Sequence, residues 1–313
     1  MSSRPVAVGA PLRLVCVVLA LVAAGCGGAS SRGPERSGSG KGCPVDPVHV
    51  VVSVGQWGSI VTELGGACAE VTTILRSAAI DPHDYEPSPG DAARFAGADL
   101  VVLNGAGYDR WASKAVDATG GDPKVLDAAE VMGAPDGSNP HLWYDPAAVR
   151  AVADAVTRQL TGLAPGAAKV FSDARARFET SLAPYDASIA RLRGAAERRE
   201  ITYAATETVF DPMATAIGLV RSTPPGFQQA TTNGTEPAPG DVAAFRELLS
   251  ERSVSVLVVN AQTSGAVPAS LEDAARAADV PVVEVTESAP ASEHGFVDWQ
   301  VGQLDALATA VGA

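Results

Sequence analysis

Branched apolar runs alternate with helical stretches along most of the chain, and they do so twice, on either side of one long segment without any strand signal. His49–Val54, Glu70–Leu75 and Asp99–Leu103 are rich in β-branched residues and read as strands, with Val125-Leu126 as a short fourth. Between them, Trp57–Leu64 and Gly90–Ala96 have helical spacing, and Pro146–Leu163 reads as a helix with proline in its first turn. Residues 164–199 place Val170, Phe171, Phe178, Leu182, Ile189 and Leu192 mostly three, four and seven apart, the pattern of an amphipathic helix that Pro184 should kink or interrupt. Alternation then resumes with strands at Ile201–Ala205, Val254–Val259 and Val282–Val285, helices starting at Asp211, Asp241 and Pro268, and a terminal helix over Phe296–Val311. Strands regularly separated by helices form parallel sheets covered on both faces. The expected fold is therefore α/β, two Rossmann-like lobes with parallel sheets joined by one long helix. The lobes occupy 45–163 and 200–313, with 164–199 between them.

The N-terminus carries an address. Arg4 and Arg13 precede the apolar run Leu14–Ala24, too short for a permanent membrane helix of about twenty residues and suited to a secretory signal. Ala23-Ala24-Gly25-Cys26 resembles a bacterial lipobox, in which cleavage before Cys26 leaves that cysteine lipid-modified. Residues 1–25 are then signal peptide, and 26–44, rich in Gly and Ser, a flexible tether. Export places Cys43 and Cys68 in an oxidising compartment, where an even pair points to a disulfide. Two distant thiols alone are too few for a thiolate metal site.

With 23 Lys and Arg against 36 Asp and Glu, the net charge is −13, which argues against binding a phosphate backbone and suits a neutral or cationic partner. The chain has four histidines. His49 opens a strand and reads as structural. His83, in Asp81-Pro-His-Asp-Tyr-Glu-Pro-Ser-Pro89, and His141, in Asn139-Pro-His-Leu-Trp-Tyr-Asp-Pro146, both sit in loops stiffened by proline. His294 lies in the loop before the last helix, and Glu207 closely follows the first strand of the second lobe. Ligands of doubly wound sheets collect beyond the carboxyl ends of strands. Three imidazoles and one carboxylate form a tetrahedral nitrogen and oxygen set suited to Zn²⁺, with Mn²⁺ the harder second choice.

Residues 81–89 and 139–146 resemble the two signatures of the metal-specific solute-binding proteins of zinc and manganese ABC transporters (cluster A-I type), the likeness extending over nearly the whole mature chain. The resemblance implies extracytoplasmic capture of a divalent metal, Zn²⁺ favoured over Mn²⁺, and delivery to an ABC permease by a monomer anchored to the cell membrane through Cys26. It places ligands at His83, His141 and Glu207, and a fourth near His294, with Glu293 and Asp298 as alternatives. No His-Glu-x-x-His helix or Gly-x-Ser-x-Gly elbow supports a competing secreted zinc hydrolase. Four convergent ligands also leave no open position to activate water, so the chain reads as a non-enzyme. A metal-binding adhesin on the same scaffold and a binder of organic solutes are the other readings.

Overall fold

The computed structural model describes residues 42–76, 85–290 and 295–313. The signal segment, Cys26 and most of the tether lie outside these residues, and no helix among them is long and apolar enough to cross a membrane.

The first lobe runs β1 (Val48–Val54), α1 (Gly55–Gly65), β2 (Ala69–Leu75), α2 (Pro89–Ala96), β3 (Leu100–Leu103), α3 (Arg110–Ala118), β4 (Lys124–Asp127) and α4 (Ala128–Met132). Its four strands are parallel in the order β2-β1-β3-β4. Helices α5 (Pro146–Leu163), α6 (Ala168–Ser181) and α7 (Ala183–Arg198) follow. The second lobe runs β5 (Thr202–Ala205), α8 (Asp211–Ile217), β6 (Val220–Arg221), α9 (Pro225–Thr232), α10 (Pro239–Ser250), β7 (Val256–Asn260), α11 (Ala266–Ala277), β8 (Val282–Val285) and α12 (Phe296–Val311). Its sheet, β6-β5-β7-β8, is again all parallel and repeats the order of the first. In each lobe the chain leaves its first strand toward one side and returns on the other, which opens a crevice at the strand carboxyl ends between β1 and β3 and between β5 and β7.

The long helix expected over 164–199 is interrupted, as Pro184 implied, giving two consecutive helices parted at Leu182. Pro184 lies in the first turn of α7, where its missing N–H interrupts the ladder at little cost. The break marks a change of partner: α6 lies against α1 and α5, whereas α7 lies against α8 and α12. Phe171, Phe178, Leu182, Tyr185 and Leu192 are all fully buried along this pair, inside a core that continues from Cys43 to Val311 through both lobes. A second, smaller core around Phe227, Phe245, Leu249 and Leu271 belongs to the second lobe alone.

Cys43 and Cys68 are joined by a disulfide, both buried. It ties the residues ahead of β1 to the turn immediately before β2.

A capping box starts α2: Ser88 Oγ accepts from Asp91 N at 3.2 Å, and the Asp91 carboxylate accepts from Ser88 N at 2.9 Å. Tyr85 Oη also donates to Asp91, at 2.8 Å, which secures residues 85–88 against the start of α2. Burial alone would raise the Asp91 pKa. The bonds from Ser88 and Tyr85, with neighbouring Arg94, outweigh it and hold the carboxyl below its usual range. A group depressed on folding contributes stability above its unfolded pKa of about 3.9 and loses it as pH falls through the folded value. Asp91→Asn is therefore expected to cost about 1 kcal/mol at pH 7, with the difference narrowing at pH 3, already below the unfolded pKa of about 3.9. Urea unfolding at the two pH values checks this, and a constant difference between them would contradict it.

Candidate metal centre

The polar residues of interest all follow strand carboxyl ends. Gln56 lies two residues beyond β1, Asn104 directly after β3, Glu207 two beyond β5 and Glu287 two beyond β8, while Asn260 closes β7.

The loop after β3 is unusually constrained. Gly105, Ala106 and Gly107 take φ of 76°, 51° and 87°, left-handed values that a β-carbon resists, so alanine at 106 stores about 1 kcal/mol of strain. Glycine at 105 is required, because a β-carbon there would fall 2.0 Å from Asp127 Oδ1. Asp109 holds the loop closed. Its carboxylate accepts from Ser53 Oγ, from Asn104 N at 2.7 Å and from Gly105 N at 3.0 Å. Burial pushes its pKa up despite those three donors. The loop in turn aims Asn104, whose Oδ1 accepts from Trp57 Nε1 at 2.9 Å and whose Nδ2 donates to the Pro140 carbonyl at 2.9 Å. Pro140 immediately precedes His141.

His141 is 7% exposed and its tautomer is set by its neighbours. Asn139 Nδ2 donates to the Thr208 carbonyl at 2.8 Å, which fixes the amide orientation and turns Oδ1 toward His141. That oxygen accepts from the His141 backbone N–H at 3.0 Å and stands 2.7 Å from Nδ1. Nδ1 is therefore the donor to Asn139, which in the neutral ring leaves Nε2 to present its lone pair as a metal ligand requires. Nε2 lies 3.5 Å from Glu287 Oε1. The rings of Trp143 and Tyr108 stand edge-on to the imidazole and exclude water from it.

Glu207 follows β5 as expected, and its Oε2 accepts from Asn260 Nδ2 at 2.7 Å. The Asn139–Thr208 bond places the His141 and Glu207 loops side by side. His83, Glu293 and His294 lie outside the described residues, and Asp298 is exposed in the first turn of α12. Among the described residues, no three His, Cys, Asp or Glu side chains converge closely enough to hold a metal ion; beyond the strand ends, His141 and Glu287 are in contact.

Glu287 escaped the sequence reading. Its Oε1 accepts from Tyr108 Oη at 2.9 Å, and the preceding Thr286 is pinned by Tyr144 Oη, Gln303 Oε1 and Trp299 Nε1. The available signal was register: Glu287 stands as far beyond β8 as Glu207 stands beyond β5.

Comparisons with known proteins identify the family and the fold. A family model described as "ZnuA: Zinc-uptake complex component A periplasmic" matches residues 50–310. The "Manganese-binding lipoprotein MntA" of Halalkalibacterium halodurans is 30% identical over 162 residues, covering 50% of this chain and 51%, about half, of that protein. The "High-affinity zinc uptake system protein ZnuA" of Bacillus subtilis is 23% identical over 310 residues, covering 92% of this chain and 93% of that one. Among solved structures, the periplasmic zinc binding protein TroA from Treponema pallidum superposes with a TM-score of 0.70 at 19% identity, covering 85% of this chain and 99% of that one. At that identity the likeness concerns the fold.

Proposed function

The chain belongs to the family of periplasmic zinc-uptake complex component A proteins, and on that premise we propose that it captures a divalent transition-metal ion outside the cytoplasm and delivers it to an ABC permease for import. The observation that carries this reading is the contact of His141 Nε2, its lone pair exposed by the Nδ1 tautomer, with the Glu287 carboxylate from the other lobe. We assign His83, His141 and Glu207 as donors, with Glu287 in the fourth position and His294 as the alternative there. In this structure His141 meets Glu287 while Glu207 stands apart on Asn260, so binding requires the ion to draw the Glu207 loop onto that pair. The ion then bridges the lobes, His83 and His141 serving from the first and the carboxylates from the second. A filled coordination sphere is a carrier's arrangement rather than a hydrolase's, because no position remains for an activated water. Cys26 is the proposed lipid anchor, which keeps a monomeric carrier beside the membrane that houses its permease.

The donor set bears on the choice of metal. Three imidazoles with Glu207 favour Zn²⁺. Glu287 in place of His294 makes two carboxylates, a harder set that brings Mn²⁺ forward as the second reading.

Titration of the apo protein with each metal tests the proposal. Imidazole binds metal only as the neutral base, and ordinary histidine has a pKa of about 6.5, so affinity is expected to drop as pH falls below roughly 6. Equal affinity at pH 5 and pH 7.5 would rule out histidine donors.

A further inference from the structure

Gln56 opens α1 just past β1 and is 2% exposed, an amide buried where an apolar side chain would ordinarily pack. Its Nε2 reaches three acceptors: Tyr108 Oη at 2.9 Å, the Glu287 carbonyl at 3.0 Å and Ser288 Oγ at 3.2 Å. Two of these belong to the second lobe, while Gln56 and Tyr108 belong to the first. An amide nitrogen can only donate, so the phenol oxygen must accept from it. The hydroxyl's own proton is thereby turned away from Gln56, and it goes to Glu287 Oε1 at 2.9 Å. The loop is gripped from its other side by Gln262, which exchanges two 2.9 Å bonds with the Ser288 backbone. The backbone of 287–288 is thus fixed twice, and the direction of the bond from Tyr108 to the Glu287 side chain is dictated by Gln56.

We propose that Gln56 is a positioning residue for metal capture, acting through Tyr108: by occupying the phenol oxygen as a donor it commits that hydroxyl to Glu287 and holds the carboxylate oriented against His141. The inference rests on the reading of His141 and Glu287 as metal donors. Without Gln56 the direction of the hydroxyl's bond to Glu287 is no longer enforced, and Tyr108 holds the carboxylate less firmly. Ligands whose supporting hydrogen bonds are removed commonly lose 10- to 100-fold in metal affinity.

A double-mutant cycle measured by chelator competition for Zn²⁺ and for Mn²⁺ decides the matter, with thermal unfolding of each apo protein beside it. Gln56→Met keeps the length and removes the donor. Gln56→Glu keeps the shape and reverses the polarity, so that the phenol donates to residue 56 instead of to Glu287, and it serves equally should the methionine variant fold poorly. Either single variant is expected to weaken binding at least about tenfold. In a Tyr108→Phe background the same change should cost less than about threefold further, because the route is already cut. Losses that multiply independently, or a Gln56 variant that binds like the wild type, would overturn the role assigned to Gln56. A wild-type protein that binds neither metal would instead overturn the metal-capture reading itself, and the wild-type arm reveals this before any variant is compared.

Discussion

Zn²⁺ at a thousandfold excess over its dissociation constant should stabilise the folded chain by about 4 kcal/mol, and His141→Ala or Glu287→Ala should remove most of that gain. The increment follows from mass action, since an ion that binds the native state and ignores the unfolded chain deepens the native well by RT ln(1 + [L]/Kd). No unfolded ensemble gathers His141 with Glu287, which are separated by most of the second lobe along the chain and meet at 3.5 Å in the fold. Removing either proposed donor would strip a direct ligand. The affinity loss should therefore exceed the roughly 10- to 100-fold typical of supporting residues, leaving little stabilisation at the same metal concentration. Calorimetric melting of apo, Zn²⁺-loaded and Mn²⁺-loaded protein measures it, with both variants in parallel. A melting temperature that neither metal moves would end the proposal.

Asp109→Ala is expected to destabilise the apo protein by about 4 kcal/mol and to weaken metal binding as well. The carboxylate accepts from Ser53 Oγ, Asn104 N and Gly105 N in a buried setting. Alanine leaves all three donors without an acceptor, and each buried unsatisfied donor costs about 1–3 kcal/mol. The left-handed run at 105–107 would then relax, and Asn104 would lose its aim on the Pro140 carbonyl beside His141. Asp109→Asn keeps one acceptor oxygen but turns an amide donor toward another donor, so its cost should be intermediate. Urea unfolding ranks the three proteins. A loss below about 1 kcal/mol for the alanine variant would show that the loop holds without this clamp.

The central strands were legible in the sequence because buried parallel strands are runs such as Val50-Val-Val52 and Leu100-Val-Val-Leu103, which few other structures tolerate. Edge strand β6 is two residues long and carries no pattern to read. Helix α9, opening on Pro225-Gly226 and continuing through Gln and Thr, looks like loop until Phe227 is seen buried against Phe245. Within the site, His141 was legible because prolines stiffen the loop on either side of it. Glu287 was not, because Thr286-Glu-Ser288 bears no local mark. Counting back from α12 led to His294, while counting forward from β8 leads to Glu287. Gln56, Asn104 and Asp109 were overlooked for a different reason. Each is an ordinary polar residue at a loop or helix start, and only tertiary packing makes it a buried hydrogen-bonding group.

The Cys43–Cys68 bond also decides where mechanical load enters the molecule. A force on the chain ahead of Cys43 divides there, part running along the main chain into β1 and part crossing the disulfide to the start of β2. The seven residues of β1 and β2 run from that point toward the other rim of the sheet, about 20 Å away. A load on that end is thus shared by two paired strands at the base of the first lobe, on the rim away from the strand carboxyl ends that precede Gln56 and Asn104.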